Sequence, residues 1–305
     1  MDKLLDDIIK NNKKYAKYGQ VATYIPELRK ANAEDLAICI IDRKNNIYYK
    51  GDYNKKFTIQ SISKTIVLAM ALMDNDWSYV FSKVGMEPSG DPFNSIMKLE
   101  TDDTKKPCNP MINAGAIVTT SLIKGNSLKE KEERMLNFFR KMAKNENLKI
   151  NKDVYESEKF TGDRNRAMAY LLKNDGIIEG DVEEILDLYF KQCSIEVDVV
   201  DLARIGLIFA NYGIDIETGE RIISESVSRM VKTFMVTCGM YDASGEFAIK
   251  VGIPAKSGVG GGIMASVPKK MGIGIYGPAL DKKGNSIAGL KVLEDLSKEL
   301  ELSIF

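Results

Sequence analysis

The stretch IQSISKTIVLAMALM, residues 59–73, sets two serines and a lysine at the start of an apolar run. Ser61 and Lys64 are three positions apart, so one helical turn places both side chains on the same face. Ser63 offers a second hydroxyl beside this lysine, but its side chain leaves the helix in a different direction from that of Ser61. The pattern therefore predicts a helix from Ile62 to about Ala71 whose first turn presents a serine together with a lysine.

The chain has 305 residues and contains no histidine. This excludes a Ser-His-Asp triad and any histidine-ligated metal site, and it leaves lysine as the strong base. Free lysine has a pKa of about 10.4, so only about one amine in a thousand is neutral near pH 7.4. A catalytic Lys64 therefore requires an apolar environment or a second cation nearby to lower its pKa.

A candidate second cation is Lys256, in the segment AKSGVGGG (255–262). Its Lys-Ser-Gly on a predicted strand matches the K-T-G element that accompanies S-x-x-K in penicillin-binding proteins and β-lactamases. Alone, S-x-x-K reads as a helix-capping serine with a solvated lysine, but the pairing of both elements in the expected order favours catalysis. The glycines fit neither a P-loop nor a dinucleotide fingerprint. They predict a strand edge that a ligand can approach closely, with an N–H free to bind an oxyanion.

Strand patterns occur at both ends of the chain and helical patterns between them, which predicts an α+β fold. We expect a mainly antiparallel sheet flanked by helices, built from about 20–60 and 240–305, with an inserted helical subdomain at about 62–238. Together these form a single catalytic domain, 1–305. The predicted strands are 35–42 and 47–52 (a hairpin), 245–253, 257–267 and 270–278. The predicted later helices are 112–123, 131–145, 164–173, 181–191, 198–211 and 286–300.

Basic and acidic residues both number 43, so the formal net charge is zero. This balance predicts neither nucleic-acid binding nor a polybasic membrane anchor. The N-terminus lacks the pattern of a signal peptide, and no apolar run reaches the length of a membrane span, so we expect a cytoplasmic protein. The cysteines are expected to be reduced and buried, since they form no C-x-x-C pair; they are Cys39, Cys108, Cys193 and Cys238.

From about Tyr24 to Lys291 the chain resembles the serine-dependent glutaminase family, whose fold is β-lactamase-like. The resemblance is carried, in order, by VATYIPEL, QSISKT, VGMEPSGDPFNS, NPMINAGAIVTTSLIK, SEKFTGDRNRAMAYLL, LDLYFKQCSIEV, CGMYDASGEFA, GIPAKSGVGGGI and PALDKKGNS. It implies hydrolysis of L-glutamine to L-glutamate and ammonia, without a metal or an organic cofactor. It also implies a homodimer or homotetramer.

The resemblance places the nucleophile at Ser61 and its base at Lys64, with Lys256 in support. It places substrate contacts at Tyr24, Asn113, Glu158, Asn165, Tyr189, Tyr241 and Val259. These residue types suit free glutamine, because a carboxylate pairs with the α-ammonium while amides and phenols donate to the α-carboxylate. The backbone N–H groups of Ser61 and Val259 are expected to hold the oxyanion, and Tyr241 to help move a proton onto departing ammonia.

Taken singly, these residues also have ordinary structural interpretations. Tyr241 alone reads as a buried tyrosine, Asn113 as a helix or turn residue, Glu158 as a surface charge and Asn165 as a cap. Two other functions fit the same fold. One is a serine hydrolase that interacts with penicillin, which usually acts outside the cytoplasm. The other is a glutamine-binding sensor without catalysis, which has no need of a nucleophile beside an unprotonated base.

Overall fold

The structure is a computed structural model that describes residues 1–90, 92–101 and 103–305. Five strands form one antiparallel sheet in the order β2-β1-β7-β6-β5, and β3 pairs with β4 separately. The strands are β1 (Ala37–Asp42), β2 (Ile47–Gly51), β3 (Phe57–Thr58), β4 (Glu196–Val197), β5 (Ala255–Ser257), β6 (Gly262–Val267) and β7 (Met271–Tyr276). The sheet thus joins two distant parts of the chain.

Helices precede, separate and follow these strands. They are α1 (Asp2–Asn12), α2 (Ser63–Asp74), α3 (Trp77–Lys83), α4 (Met97–Thr101), α5 (Asn113–Ser121), α6 (Leu128–Ala143), α7 (Lys152–Phe160), α8 (Asp163–Asn174), α9 (Val182–Cys193), α10 (Val199–Ala210), α11 (Glu225–Cys238), α12 (Ser244–Lys250) and α13 (Ile287–Glu299). No helix in the described ranges combines the length and the apolar character needed to cross a membrane.

Helices cover both faces of the sheet. Side chains alternate along β1, so Ile38 and Ile40 pack with α1 and α13 on one face, while Cys39 belongs to the core on the other face. Helix α10 lies directly on this second face. A Cβ added at Gly272 would stand only 2.1 Å from the Ala203 carbonyl oxygen, so a side chain on β7 there would push the helix away from the sheet.

Helix α2 is buried on all sides over its first ten residues, 63–72. Its sequence is apolar around the whole circumference, as expected for a helix enclosed by other elements. It packs against α5 and α11. Because only Ile59 and the short turn Gln60–Ile62 separate α2 from β3, the first turn of α2 lies where strands meet helices.

The predicted α+β class and the hairpin are confirmed. The six later predicted helices are confirmed as α5, α6, α8, α9, α10 and α13, with ends shifted by one to three residues. Helices α3, α4, α7 and α11 were not predicted from the sequence. Cys39, Cys193 and Cys238 are buried as expected, whereas Cys108 is half-buried.

The strand predicted at 245–253 is wrong, because this segment contains α12 and then a turn. Its alternating apolar residues suggested a strand with Phe247, Ile249 and Val251 on one face. Instead Phe247 and Val251 are buried four positions apart, as on a helix, while Ile249 is 89% exposed. An ion pair of 2.7 Å between Glu246 and Lys250 also supports the helix.

Candidate active site

Ser61 lies in a tight turn between β3 and α2. The turn spans Gln60–Ile62, and Ile59 is held in place by a 2.9 Å hydrogen bond from its N–H to the Ile195 carbonyl. Gln60 adopts a left-handed backbone with φ of 52°. Such a conformation costs about 1 kcal/mol or more in a residue with a side chain, and it is typical of functional turns. It orients Ser61 at the entrance to α2.

Lys64, in the first turn of α2, has no solvent exposure. Its amine donates to the side-chain oxygen of Asn113 at 2.7 Å and to the Met111 carbonyl at 3.2 Å. Burial lowers the pKa of Lys64 to about 8, although the nearby Cys193 and Glu158 act in the opposite direction. At this pKa about a fifth of the amines are neutral near pH 7.4, instead of one in a thousand.

Among the described residues, no hydrogen bond joins the Ser61 hydroxyl to the Lys64 amine. Both bonds of the lysine amine point towards the start of α5 instead. Catalytic hydrogen bonds are often long in an enzyme without substrate and tighten once the substrate is bound. The proton transfer between the two side chains therefore stays a prediction, whereas the dry environment of the amine is observed.

Asn113 and Asn165 extend this contact into a chain of polar groups. Asn113 begins α5; its side-chain amide accepts from Lys64 and donates to the Asn165 side chain at 3.1 Å. Its own backbone N–H donates to the Phe93 carbonyl at 2.9 Å. The predicted base is thus connected to two of the predicted substrate-binding amides.

Glu158 is a buried carboxylic acid on α7, so the interpretation as a surface charge is wrong. One carboxyl oxygen, Oε1, has no hydrogen-bond partner in the described part of the chain. Burial raises the pKa of Glu158 to about 7, against the opposing effects of Gln60 and Lys64. A buried carboxylate with an unused oxygen is strongly favourable for binding a cationic group.

Two tyrosines stand near this carboxylate. Tyr189 is buried, and burial, followed by the neighbouring Cys193 and Glu158, raises its pKa well above the ordinary range. Tyr24 is 54% exposed over the whole residue, but burial of its hydroxyl end and the charge of Glu158 raise its pKa as well. Both phenols therefore stay protonated and able to donate hydrogen bonds.

Tyr241 follows α11 in a second strained turn, with φ of 54°. Its hydroxyl makes no regular hydrogen bond within the described ranges, but the Ser61 side chain and the Val259 N–H lie close enough to lower its pKa. Burial is the larger effect and holds that pKa above the ordinary range. Its ring packs against Phe93, with 4.7 Å between centroids. Tyr241 is a protonated phenol beside Ser61.

The backbone N–H groups of Ser61 and Val259 are the two donors predicted to hold the oxyanion. Neither the Ser61 N–H nor the Val259 N–H donates to a carbonyl in the part of the chain that the structure describes. Val259 sits between β5 and β6, in a loop pressed against the residues just before Ser61. Two N–H groups without a carbonyl acceptor are suited to binding an oxyanion, and the Val259 N–H also lies close to the Tyr241 hydroxyl.

The glycines of this loop have a different role from the one expected. A Cβ at Gly258 would lie 2.8 Å from the Ile59 carbonyl oxygen, and one at Gly260 would lie 2.7 Å from that of Thr58. The bare backbone thus makes room for the chain's own turn rather than for a ligand. The prediction of an open strand edge is wrong at these two positions.

Lys256 is also fully buried, on β5. Its amine donates to the Ser257 carbonyl at 2.7 Å and lies 4.3 Å from the centre of the Tyr241 ring. Burial, and then the charge of Lys64, hold the pKa of Lys256 well below its ordinary range. Burial, rather than the expected charge on Lys256, lowers the pKa of Lys64, and the charge of Lys64 adds to burial in lowering the pKa of Lys256.

Two further residues in the site were not identified from the sequence. Gln60 is buried, donates to the Thr58 hydroxyl at 3.1 Å and lowers the pKa of Glu158 through a hydrogen bond. Cys193 is four positions after Tyr189 on α9, and its thiol is near the hydroxyls of Ser63 and Tyr189. The spacing of Cys193 from Tyr189 was a usable signal, since residues four apart share a helix face.

A serine one helical turn before a buried lysine of lowered pKa, together with two N–H groups that have no carbonyl acceptor in the described ranges, is typical of a serine hydrolase that uses lysine as its base. The sequence profile of the glutaminase family matches residues 19–305. The chain belongs to the glutaminase family, so the predicted family and enzyme class are confirmed. One of the strings that carried the resemblance includes Asp91, which lies outside the described residues.

Individual proteins similar to this chain are also glutaminases. The glutaminase of Clostridioides difficile is 77% identical over 302 residues, which are 99% of this chain and 98% of the relative. Glutaminase 2 of Clostridium perfringens is 60% identical over the full length of both chains. The crystal structure of a covalent complex of Bacillus subtilis glutaminase with 5-oxo-L-norleucine, formed by reaction with 6-diazo-5-oxo-L-norleucine, superposes with a TM-score of 0.90 at 42% identity. The match covers 99% of this chain and 98% of that one. The predicted β-lactamase-like fold is thereby confirmed.

Proposed function

We propose that Ser61 and Lys64 carry out the glutaminase reaction, hydrolysing the side-chain amide of L-glutamine to L-glutamate and ammonia. The observation that carries this assignment is the fully buried Lys64 amine, whose pKa is lowered to about 8 one helical turn after a serine. Purified protein is expected to release ammonia from glutamine without added metal. A coupled ammonia assay, run with glutamine and asparagine side by side, tests it.

The substrate is held through its α-ammonium and its α-carboxylate. The ammonium pairs with Glu158, whose unpaired carboxyl oxygen supports this assignment. The α-carboxylate accepts hydrogen bonds from amides and phenols, with Asn113 and Asn165 as the inner donors. Tyr24 and Tyr189 complete the contacts. The amide carbonyl then points to the N–H groups of Ser61 and Val259.

The first half of the reaction forms an ester. The neutral Lys64 amine takes the proton of Ser61 as the serine oxygen attacks the amide carbon, and the carbonyl electrons move to the oxygen. The two N–H groups stabilise this oxyanion. When the oxyanion collapses, the carbon–nitrogen bond breaks and the nitrogen leaves as ammonia with a proton from Lys64, delivered directly or through Tyr241.

The second half returns the enzyme to its starting state. A water molecule gives a proton to the neutral Lys64 amine and attacks the glutamyl ester on Ser61. The oxyanion forms again in the same two-donor site, and the ester bond then breaks. The serine oxygen recovers its proton from Lys64, and the new carboxylic acid loses its proton to solvent as L-glutamate leaves.

Replacing Glu158 by Gln is expected to raise KM for glutamine about 10- to 100-fold, because a charged contact to the substrate ammonium is lost in ground and transition states alike. The value of kcat is expected to fall much less. Steady-state kinetics measure both. Glu156→Gln is the matched control, since Glu156 is exposed on the same helix and its loss leaves KM unchanged. An unaltered KM in Glu158→Gln contradicts the assignment.

The pH profile of kcat/KM is expected to fall on its acidic side with two protons. Lys64 must be neutral and Glu158 ionised, and their pKa values are about 8 and about 7. Since kcat/KM reports the free enzyme, its logarithm should approach a slope of two below about pH 6. In Glu158→Gln the slope should be one. A slope that stays at two in this variant shows that Glu158 is not the second group.

Two alternatives are separated by direct measurement. A penicillin-interacting hydrolase would be labelled at Ser61 by a fluorescent penicillin and would not turn over glutamine. A silent sensor would bind glutamine and release no ammonia. Both are disfavoured by membership of the glutaminase family.

Several broader assignments remain predictions. We propose a single catalytic domain, 1–305, with a helical subdomain at about 62–238, although α10 within that range packs on the sheet. A cytoplasmic location and a homodimer or homotetramer are proposed in the same sense. Light scattering of the purified protein at several concentrations tests the oligomeric state.

A further inference from the structure

The burial of Lys256 requires an explanation, because a fully buried lysine without an acidic partner destabilises the folded protein. Within the described ranges it forms no ion pair, and its one hydrogen bond goes to the carbonyl of the next residue, Ser257. Its remaining polar contact is with the Tyr241 ring, whose centre is 4.3 Å from the amine. The contact is with the face of a ring that belongs to the proposed catalytic machinery.

The strand that carries Lys256 also supports the backbone before Tyr241. The Ser257 N–H donates to the Gly239 carbonyl at 3.1 Å. A Cβ at Gly239 would lie 1.8 Å from the Ala255 carbonyl oxygen, so strand and turn are in direct contact. Beyond this point the Tyr241 backbone is left-handed. Strand β5 therefore contacts the turn before Tyr241 through its backbone, and the Tyr241 ring through the Lys256 side chain.

An electrostatic effect of Lys256 on Lys64 is not supported by this arrangement. When Lys64 has accepted the Ser61 proton, its charge adds to burial in keeping Lys256 neutral. Lys256 then adds no second positive charge to the site. A neutral amine over an aromatic ring still makes a directional N–H contact with the ring face.

We propose that Lys256 is a positioning residue for Tyr241, holding its ring so that the hydroxyl stays beside Ser61 and the Val259 N–H while ammonia departs. This inference rests on the proposed function. Phe93 supports the same ring at 4.7 Å. Without the Lys256 amine, the ring loses its support on that face and the hydroxyl moves away from the reacting atoms.

The test begins with Lys256→Met, which keeps the length and apolar packing of the side chain but removes the amine. We expect kcat to fall at least about tenfold, since small displacements of a catalytic group have large effects on rate. KM should change less than kcat. Lys232→Met is the matched control, because Lys232 is also a buried lysine, 4.0 Å from the centre of the Tyr212 ring. Its kcat should stay within about twofold of wild type.

A double-mutant cycle distinguishes action through Tyr241 from a general structural effect. Tyr241→Phe alone should reduce kcat by about a hundredfold, the scale of general acid–base catalysis. In that background Lys256→Met should have almost no further effect. Rates are divided by the number of competent sites, which is titrated with 6-diazo-5-oxo-L-norleucine. Should Lys256→Met not fold, Lys256→Leu, which also lacks an N–H donor, takes its place, with the same expected non-additivity.

Three results would overturn the inference. They are an unchanged kcat in the Lys256 variant, fully additive effects in the cycle, and an upward shift of the acidic midpoint of kcat/KM with no loss of rate at high pH. The last outcome would mean that Lys256 acts by charge on Lys64. A wild-type protein that releases no ammonia from glutamine is a different failure, since it removes the proposed function itself.

Discussion

Ser61→Ala is expected to lose at least about a thousandfold in kcat for ammonia release, because removing the nucleophile leaves only binding and the oxyanion donors. The variant should still bind glutamine, since the contacts to the ammonium and carboxylate come from other elements. A coupled ammonia assay measures the first effect and isothermal calorimetry the second. The combination of lost turnover and kept binding distinguishes loss of chemistry from loss of fold.

Ser63→Ala is the matched control for this variant. Ser63 lies on the same helical turn and is buried, and its hydroxyl has no hydrogen-bond partner among the described residues. Removing an unpaired hydroxyl has little energetic consequence, so kcat should change less than about threefold. Near-normal activity in Ser61→Ala, or inactivity confined to Ser63→Ala, would move the nucleophile away from Ser61.

Lys64→Met is expected to lose activity on the same scale as Ser61→Ala, because the two side chains act as a unit and their removal is not additive. Methionine preserves the packing of the helix but cannot accept a proton. Any residual activity should no longer rise with pH through about 8, the pKa of the buried lysine. Full pH profiles of kcat/KM for wild type and variant measure both effects.

The control for this variant is again Lys232→Met. The pKa of Lys232 is also lowered to about 8 by burial, and its amine has no hydrogen-bond partner in the described part of the chain. Lys232→Met should retain both rate and pH dependence. A Lys64→Met enzyme with a wild-type profile would assign the titration near pH 8 to another group.

The sequence contained enough information to predict the local geometry of Ser61 and Lys64. Their spacing defines one helical turn, and the apolar residues that follow predict a buried helix, as observed for α2. The absence of histidine reduced the choice of base to lysine. These inferences depend on neighbours in sequence, which is why they survive comparison with the structure.

Other features depend on contacts between distant segments and could not be predicted. The Lys64 amine donates to Asn113, 49 positions along the chain, and no local pattern encodes that bond. Gly258 and Gly260 were interpreted as space for a ligand, but they accommodate the turn before Ser61. In α12 the alternation of apolar residues mimics a strand, but burial of Phe247 and Val251 in the apolar core favours a helix.

The identity of the nucleophile is tested most directly by mapping the adduct formed with 6-diazo-5-oxo-L-norleucine, the reagent that forms the covalent complex of the Bacillus subtilis relative. After reaction and proteolysis, mass spectrometry should find the label on Ser61 in wild-type protein and no label in Ser61→Ala. Labelling of another residue, at the wild-type rate and also in Ser61→Ala, would contradict the account.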